Sequence, residues 1–478
     1  MEKQVSMNKM GVVPVNKLML GMGLPMILSM VLQALYNIVD SYFVSLIPGT
    51  AAIPNMGDYA VNALILAFPI QMLMVAVGVG TGVGVNTLLS RSIGQGDKEK
   101  ANIIAGNAIF LAICTYIVFL IFGIIGVKAY INSQTTNELI SEIASSYLGI
   151  CTVLSFGAII SMINEKLLQS TGRTILSTAS QISGALINII LNPILIFGLV
   201  GFPALGVNGA AYATIIGQII SCIIGLIFNC KFNKEINFKL KYLIPNKNII
   251  KEIYAIGIPA ILMQAMMSVM TYGINIIFGI LSSTVVTAYG VYYKIQQFVL
   301  FAAFGMNNAI IPIISFNYGK QDKKRVKDGI KYGMSFILII MTIGFIVLQI
   351  FAPKLVGIFA LASETKVLCI KAIRIITLGY IFMGANIAYQ AIFQALGKGM
   401  NSLIISLIRL IIVTLPLAYI FAKLPNAQNT IWMAFPIAEA FALVVSIIFM
   451  KKVEKSKIDN LDYTIKNEDF NEALVSNQ

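Results

Sequence analysis

GLPMILSMVLQALYNIVDSYFVSL, from Gly23 to Leu46, is long enough to cross a bilayer as one helix, yet it carries a carboxylate, Asp40, inside its apolar run. On helical spacing Gln33, Tyr36, Asn37 and Asp40 fall at i, i+3, i+4 and i+7, so their polar groups share one face. An aspartate near the middle of a spanning helix costs roughly 2.5–3.5 kcal/mol on insertion scales. The face is therefore expected to look into a bundle or a wet cavity and to serve as an ion or proton site. The plainer alternative is an acid satisfied by neighbouring helices for packing alone.

The rest of the chain has the same character. With 58% hydrophobic and 11% charged residues among 478, and a positive mean hydropathy, it reads as an integral membrane protein nearly throughout. The net charge of +14 comes from Lys and Arg in short loops between apolar runs, where they report orientation and not a nucleic-acid partner. There is no histidine, which removes His metal sites, His proton relays and Ser-His-Asp chemistry together. Cys114, Cys151, Cys222, Cys230 and Cys369 lack metal spacing and read as small buried hydrophobes. Gly78, Gly80, Gly82 and Gly84 lie inside an apolar helix without the spacing that cradles phosphate, so close helix packing is expected there and no ATP site. No cofactor is expected beyond a coupling ion. The first apolar run is too long for a cleaved signal peptide and is expected to remain in the mature protein.

The fold class that follows is an all-α polytopic membrane protein of about twelve spans, each a run of ~20 apolar residues or more. They are expected near 17–45, 60–92, 101–126, 139–170, 174–198, 206–229, 249–281, 285–315, 328–351, 364–396, 402–422 and 428–450. Basic loops alternate with poorly charged ones, which puts both termini in the cytoplasm of a multi-pass cell-membrane protein. The tails, 1–16 and 453–478, lack apolar periodicity and are expected to be loosely ordered. Residues 17–229 and 249–452 form two six-helix lobes, joined by the basic linker 230–248, which is expected to lie on anionic lipid headgroups.

The chain repeats itself. Gly23-Leu-Pro-Met-Ile-Leu28 returns as Gly257-Ile-Pro-Ala-Ile-Leu262; Ser90, Gly94, Asp97 and Lys98 return as Ser315, Gly319, Asp322 and Lys323; Gln169 and Gly172-Arg173 return as Gln394 and Gly397-Lys398. With about six spans per half, both halves enter the membrane in the same direction. Transporters built from such parallel repeats bind substrate between the halves near the midplane.

On the fifth span Gln181, Asn188 and Asn192 fall at i, i+7 and i+11, a polar stripe able to face that of Asp40. Its amides can hydrogen-bond a protonated acid, ligate a cation, or act as interhelical glue worth roughly 1 kcal/mol per bond. Aligning Pro25 with Pro259 sets Met267, Met270, Thr271 and Ile274 where the first lobe has its acid face. Met263, Met267 and Met270 thus form a pliable face suited either to packing or to substrates of many shapes. Glu439, three residues after Pro436, is either a structural partner of Arg409 or Lys294 or a contact for cationic substrate.

These landmarks resemble the multidrug and toxic compound extrusion (MATE) family, and within it the DinF/MepA-like bacterial branch. The resemblance is carried by the two Gly-x-Pro openings, LYNIVDSYFV around Asp40, SRSIGQGDKEKA and NIILNPILIFG, and runs from about Lys17 to Met450. It implies a cation-coupled antiporter with two lobes around a V-shaped cavity. The family's N-lobe cation site maps onto Asp40, Asn188 and Asn192, with Thr214 added from the sixth helix. Many members have Asp where this chain has Asn192. A single visible carboxylate favours H+ over Na+ as coupling ion. The function expected is efflux of small cationic or amphipathic compounds by alternating access, from a monomer in lipid. A flippase for lipid-linked precursors is the second reading and a membrane-embedded enzyme a distant third.

Overall fold

The computed structural model describes residues 8–49, 56–359 and 361–461. Among the described residues eleven helices are long and apolar enough to span a membrane, and a bent pair makes a twelfth. The first lobe holds α1 (Val15–Ser45), α2 (Met56–Gly94), α3 (Lys98–Asn132), α4 (Glu138–Val153 and Phe156–Ser170, bent by 45°), α5 (Thr174–Phe197) and α6 (Val207–Phe232). The second holds α7 (Lys247–Leu281), α8 (Ser283–Gly319), α9 (Lys323–Gly357), α10 (Ser363–Ala395), α11 (Gly399–Ala422) and α12 (Ala427–Ile458). Most extend beyond the expected apolar runs, and Asp, Asn or Ser side chains cap the N-termini of α3, α4, α7, α8 and α9.

Each repeated landmark has a physical task. Asp97 and Asp322 are N-caps, their carboxylates accepting from the backbone N–H of Lys100 (2.9 Å) and Arg325 (3.0 Å), which starts α3 and α9 directly after a tight turn. Gly172 and Gly397 sit at φ +82° and +75°, the left-handed conformation that ends α4 and α10. Ser90 donates to the Ser170 carbonyl and Ser315 to the Ala395 carbonyl, both at 2.9 Å.

The lobes join through two equivalent crossed pairs, α1 against α8 and α7 against α2, as a pseudo-two-fold axis requires. At the seam Gly94 and Gly319 face each other's helix: a Cβ on Gly94 would lie 2.0 Å from the Phe316 carbonyl, and one on Gly319 2.1 Å from that of Arg91. The glycine run of α2 packs in two directions. Gly78 and Gly82 admit Met162 and Lys166 of α4, while Gly80 and Gly84 admit Ile261 and the Ile253 carbonyl of α7. Thr87 donates to the Gln394 carbonyl (3.3 Å), Arg91 to the Ala395 carbonyl (3.3 Å) and Lys166 to Asn308 (2.9 Å), all in the half of the seam that lies toward the chain's N-terminus.

The tails differ from expectation where they are described. Met10 is fully buried in the second lobe's core, and at the other end Ile458 and Leu461 are buried while Asp459 pairs with Lys323 at 3.4 Å. Short apolar anchors between polar residues order both segments without any helical periodicity to reveal them. Residues 1–7 and 462–478 lie outside the described residues. The linker docks on protein as well: Tyr242 is buried, and its hydroxyl donates to Glu99 at 2.9 Å. Because the glycine contacts are with backbone, which cannot swing aside, Gly94→Val and Gly319→Val should each cost about 1–3 kcal/mol. Thermal unfolding of the purified variants checks this, and unchanged midpoints for both would contradict the packing described.

Candidate functional site

The Asp40 face does meet α5. Asn192, fully buried, donates from Nδ2 to Asp40 Oδ1 at 2.8 Å and to Asn188 Oδ1 at 3.1 Å; Asn188 in turn donates to Thr214 Oγ1 of α6 at 3.0 Å. One acid and three neutral groups thus form a continuous chain across α1, α5 and α6. Asp40 itself is half-buried, and among the described residues no hydrogen bond reaches the buried Asn192 Oδ1. That oxygen can accept from a donor or cation brought to the carboxylate.

Three groups that sequence reading missed complete the surroundings. Tyr147 and Cys151 of α4, together with Tyr36, lie within electrostatic range of Asp40, and Gln71 of α2 donates to the Tyr147 hydroxyl at 3.4 Å. Tyr147 and Cys151 are separated by one helical turn, and that spacing is the only signal the sequence offers for them.

The other expected residues fall in different places. Gln33 is exposed two turns before Asp40, and Tyr36 is half-buried; the side chain of Asn37 lies outside the described residues. Gln181 is not joined to the Asp40 network, for its amide donates to Glu165 of α4. Eleven residues of α5 rise about 16 Å, which carries Gln181 three turns away from Asn192. Next to it Lys166 is held by neutral oxygens, Gln169 at 3.0 Å and Asn308 at 2.9 Å.

In the second lobe the methionine face is divided. Met270 is buried in the core with Ile274, the residue standing where Asp40 stands in the first lobe, while Met263 and Met267 are half-buried and Gln394 donates to the Met263 sulfur at 3.7 Å. Glu439 is 5% exposed and pairs with Arg409 at 3.0 Å, while Asn386 donates to its other oxygen at 2.8 Å; Lys294, the alternative partner, is exposed. Arg409 lies in a π-helical turn, Ile408–Ile412, a local widening of α11. The Phe278, Tyr289, Trp432 and Phe435 rings pack close by, with Phe278 and Trp432 edge to face at 5.2 Å.

Two six-helix lobes of one repeat, with the Asp40 network in the first, are the architecture of a membrane transporter. A sequence model of the MatE family matches residues 25–194 and 259–420, one block opening at each repeated proline, and the chain belongs to that family. Among curated relatives, the multidrug export protein MepA of Staphylococcus haemolyticus is 25% identical over 425 residues, covering 87% of this chain and 89% of that protein. MepA of Staphylococcus aureus strain MRSA252 is 24% identical over 446 residues, covering 91% and 94%. The fold is shared with solved structures: a multidrug resistance MATE family transporter in its outward-facing conformation (TM-score 0.87, 23% identity, 95% of this chain and 100% of that one) and MATE in complex with MaD3S (0.88, 22%, 96% and 100%).

The buried pair in the second lobe makes a sharp expectation. Removing one partner of such a pair costs about 3–5 kcal/mol, whereas replacing both by apolar groups is often neutral. Arg409→Met alone should therefore lower thermal stability markedly, and Arg409→Met with Glu439→Leu should recover most of it. A double variant as unstable as the single one would show that Glu439 is held by more than this pair.

Proposed function

We propose that this chain is a multidrug exporter that expels small cationic or amphipathic compounds in exchange for protons, and the observation that carries the reading is the hydrogen-bonded chain from Asp40 through Asn192 and Asn188 to Thr214. The MepA relatives are multidrug export proteins, which supports the transport class. The half-buried Met263 and Met267 are candidates for substrate contact, since thioether side chains repack around different shapes. Glu439 is a weaker candidate because Arg409 already neutralises it.

The choice of proton over sodium rests on charge. A sodium site needs several oxygens and enough negative charge to offset the ion's lost hydration, and this network has one formal charge. One proton neutralises Asp40 and gives it an O–H to donate, and the unpartnered Asn192 Oδ1 is an acceptor within the same network. Protonation and the direction in which the cavity opens are then linked, since only the neutral acid is at ease when water withdraws. One elementary charge moving through 100 mV supplies roughly 2.3 kcal/mol, enough for a gradient of a neutral substrate on the order of 50-fold.

Both termini are placed in the cytoplasm on the strength of the basic loops. The half of the seam bridged by Thr87, Arg91 and Lys166 is then the cytoplasmic one, which supports reading the arrangement as the outward-facing member of an alternating pair, in a monomer embedded in lipid. A flippase would need Lys294, Arg374 and Arg409 to line the cavity and meet a pyrophosphate, and of these Arg409 is engaged by Glu439. Asp40→Asn should retain expression and substrate binding while losing at least nine-tenths of active efflux in vesicles; undiminished efflux removes Asp40 from the mechanism. Wild-type efflux should follow an imposed pH gradient with sodium absent. Transport that needs sodium and ignores the pH gradient would assign the amide oxygens to a metal ion instead.

A further inference from the structure

The segment before α1 does more than lead into the membrane. Asn8 accepts from the Met10 backbone N–H at 3.0 Å, and its amide donates to the Thr171 carbonyl and to Glu235, each at 3.0 Å. Glu235 is fixed in turn by Arg173 at 2.7 Å. These partners belong to the first lobe and its linker. Two residues on, the Met10 carbonyl accepts from Asn317 Nδ2 (3.1 Å) and Arg325 (2.8 Å), and Arg325 also donates to the Val13 carbonyl (2.7 Å). Asn317, at the end of α8, and Arg325, at the start of α9, belong to the second lobe, whose core buries the Met10 side chain. Burial and the nearby Arg173 push the Lys9 ammonium below its usual range.

The linker repeats this device for the other lobe. Met10 stands fifteen residues before Pro25, and Ile244 fifteen before Pro259. The Ile244 carbonyl, with that of Tyr242, accepts from Asn107 of α3 at 3.2 and 3.3 Å. Each lobe's leading segment is thus held through its backbone carbonyls by the third helix of the opposite lobe. The two differ in one respect: the linker is covalently tied at both ends, whereas the segment before α1 is tied to a lobe only at its α1 end and grips the rest by hydrogen bonds.

We propose that Asn8–Val13 is an intramolecular clasp that spans the two lobes, stabilises closure of the seam on this face, and releases one lobe whenever that face opens. It rests on the alternating-access reading, but its test needs no transport, so the two can fail separately. The test is backbone hydrogen exchange, followed by mass spectrometry, on the full protein in lipid nanodiscs. Deleting residues 2–12 removes the clasp, and Arg325→Gln loosens its grip from the other side. Both variants should exchange at least tenfold faster in the seam ends of α2 and α8, near 88–94 and 313–319, with peptides at the opposite ends of the same helices unchanged. Unchanged seam exchange in the two variants overturns the proposal, and so does acceleration spread evenly over all helices, which would mean general destabilisation. Should the deletion fail to accumulate, Asn8→Ala, which cuts only the first-lobe grip, must show the same localised acceleration for the proposal to stand.

Discussion

A carboxylate inside a spanning helix can be charged only if nearby dipoles replace the water it has lost, and among the described residues the amide N–H of Asn192 does so for Asp40. That amide is shared with Asn188, whose own amide is turned to Thr214. The network is therefore satisfied for one charge and one arrangement, with an acceptor to spare on Asn192. Three helices must hold their register for it to exist, and α1, which carries the acid, also packs along α8 of the other lobe. α1 thus belongs both to the network and to the seam that joins the lobes.

The repeat builds a symmetric frame and an asymmetric interior. Caps, left-handed turns and facing glycines recur in both halves because the frame has the same task twice. The interior does not recur. Where the first lobe has Asp40 the second has Ile274, fully buried among aromatic and aliphatic side chains. The acid of the second lobe, Glu439, stands on its last helix and is neutralised by Arg409. On the proposed reading the first lobe responds to a proton or cation at Asp40, while the buried acid of the second lobe is held in an ion pair.

Much of this was legible in the sequence, for definite reasons. Spans could be read because lipid leaves a helix no polar choice, and the repeat because its landmarks are cap, turn and contact residues that tolerate few alternatives. The Asp40 face and the Asn188–Asn192 stripe could be paired because each keeps helical periodicity. Periodicity does not give depth, so Gln181, in line with the stripe, belongs to Glu165 at another level. Nor does it give the angle of a helix face, so Met270 lies in the core although it shares a stripe with Met263. Tyr147 and Cys151 approach from a helix bent at Leu154–Ser155, and the order of Asn8–Val13 depends on carbonyls that no side-chain pattern encodes.

The central claim, that Asp40 changes its protonation as substrate binds, can be observed without transport by infrared difference spectroscopy of the purified protein in lipid. Adding a cationic substrate near neutral pH should diminish the carbonyl band of a protonated carboxyl group, and the change should vanish in Asp40→Asn while substrate still binds. The same band change persisting in Asp40→Asn, or its absence from the wild-type protein, would contradict the account.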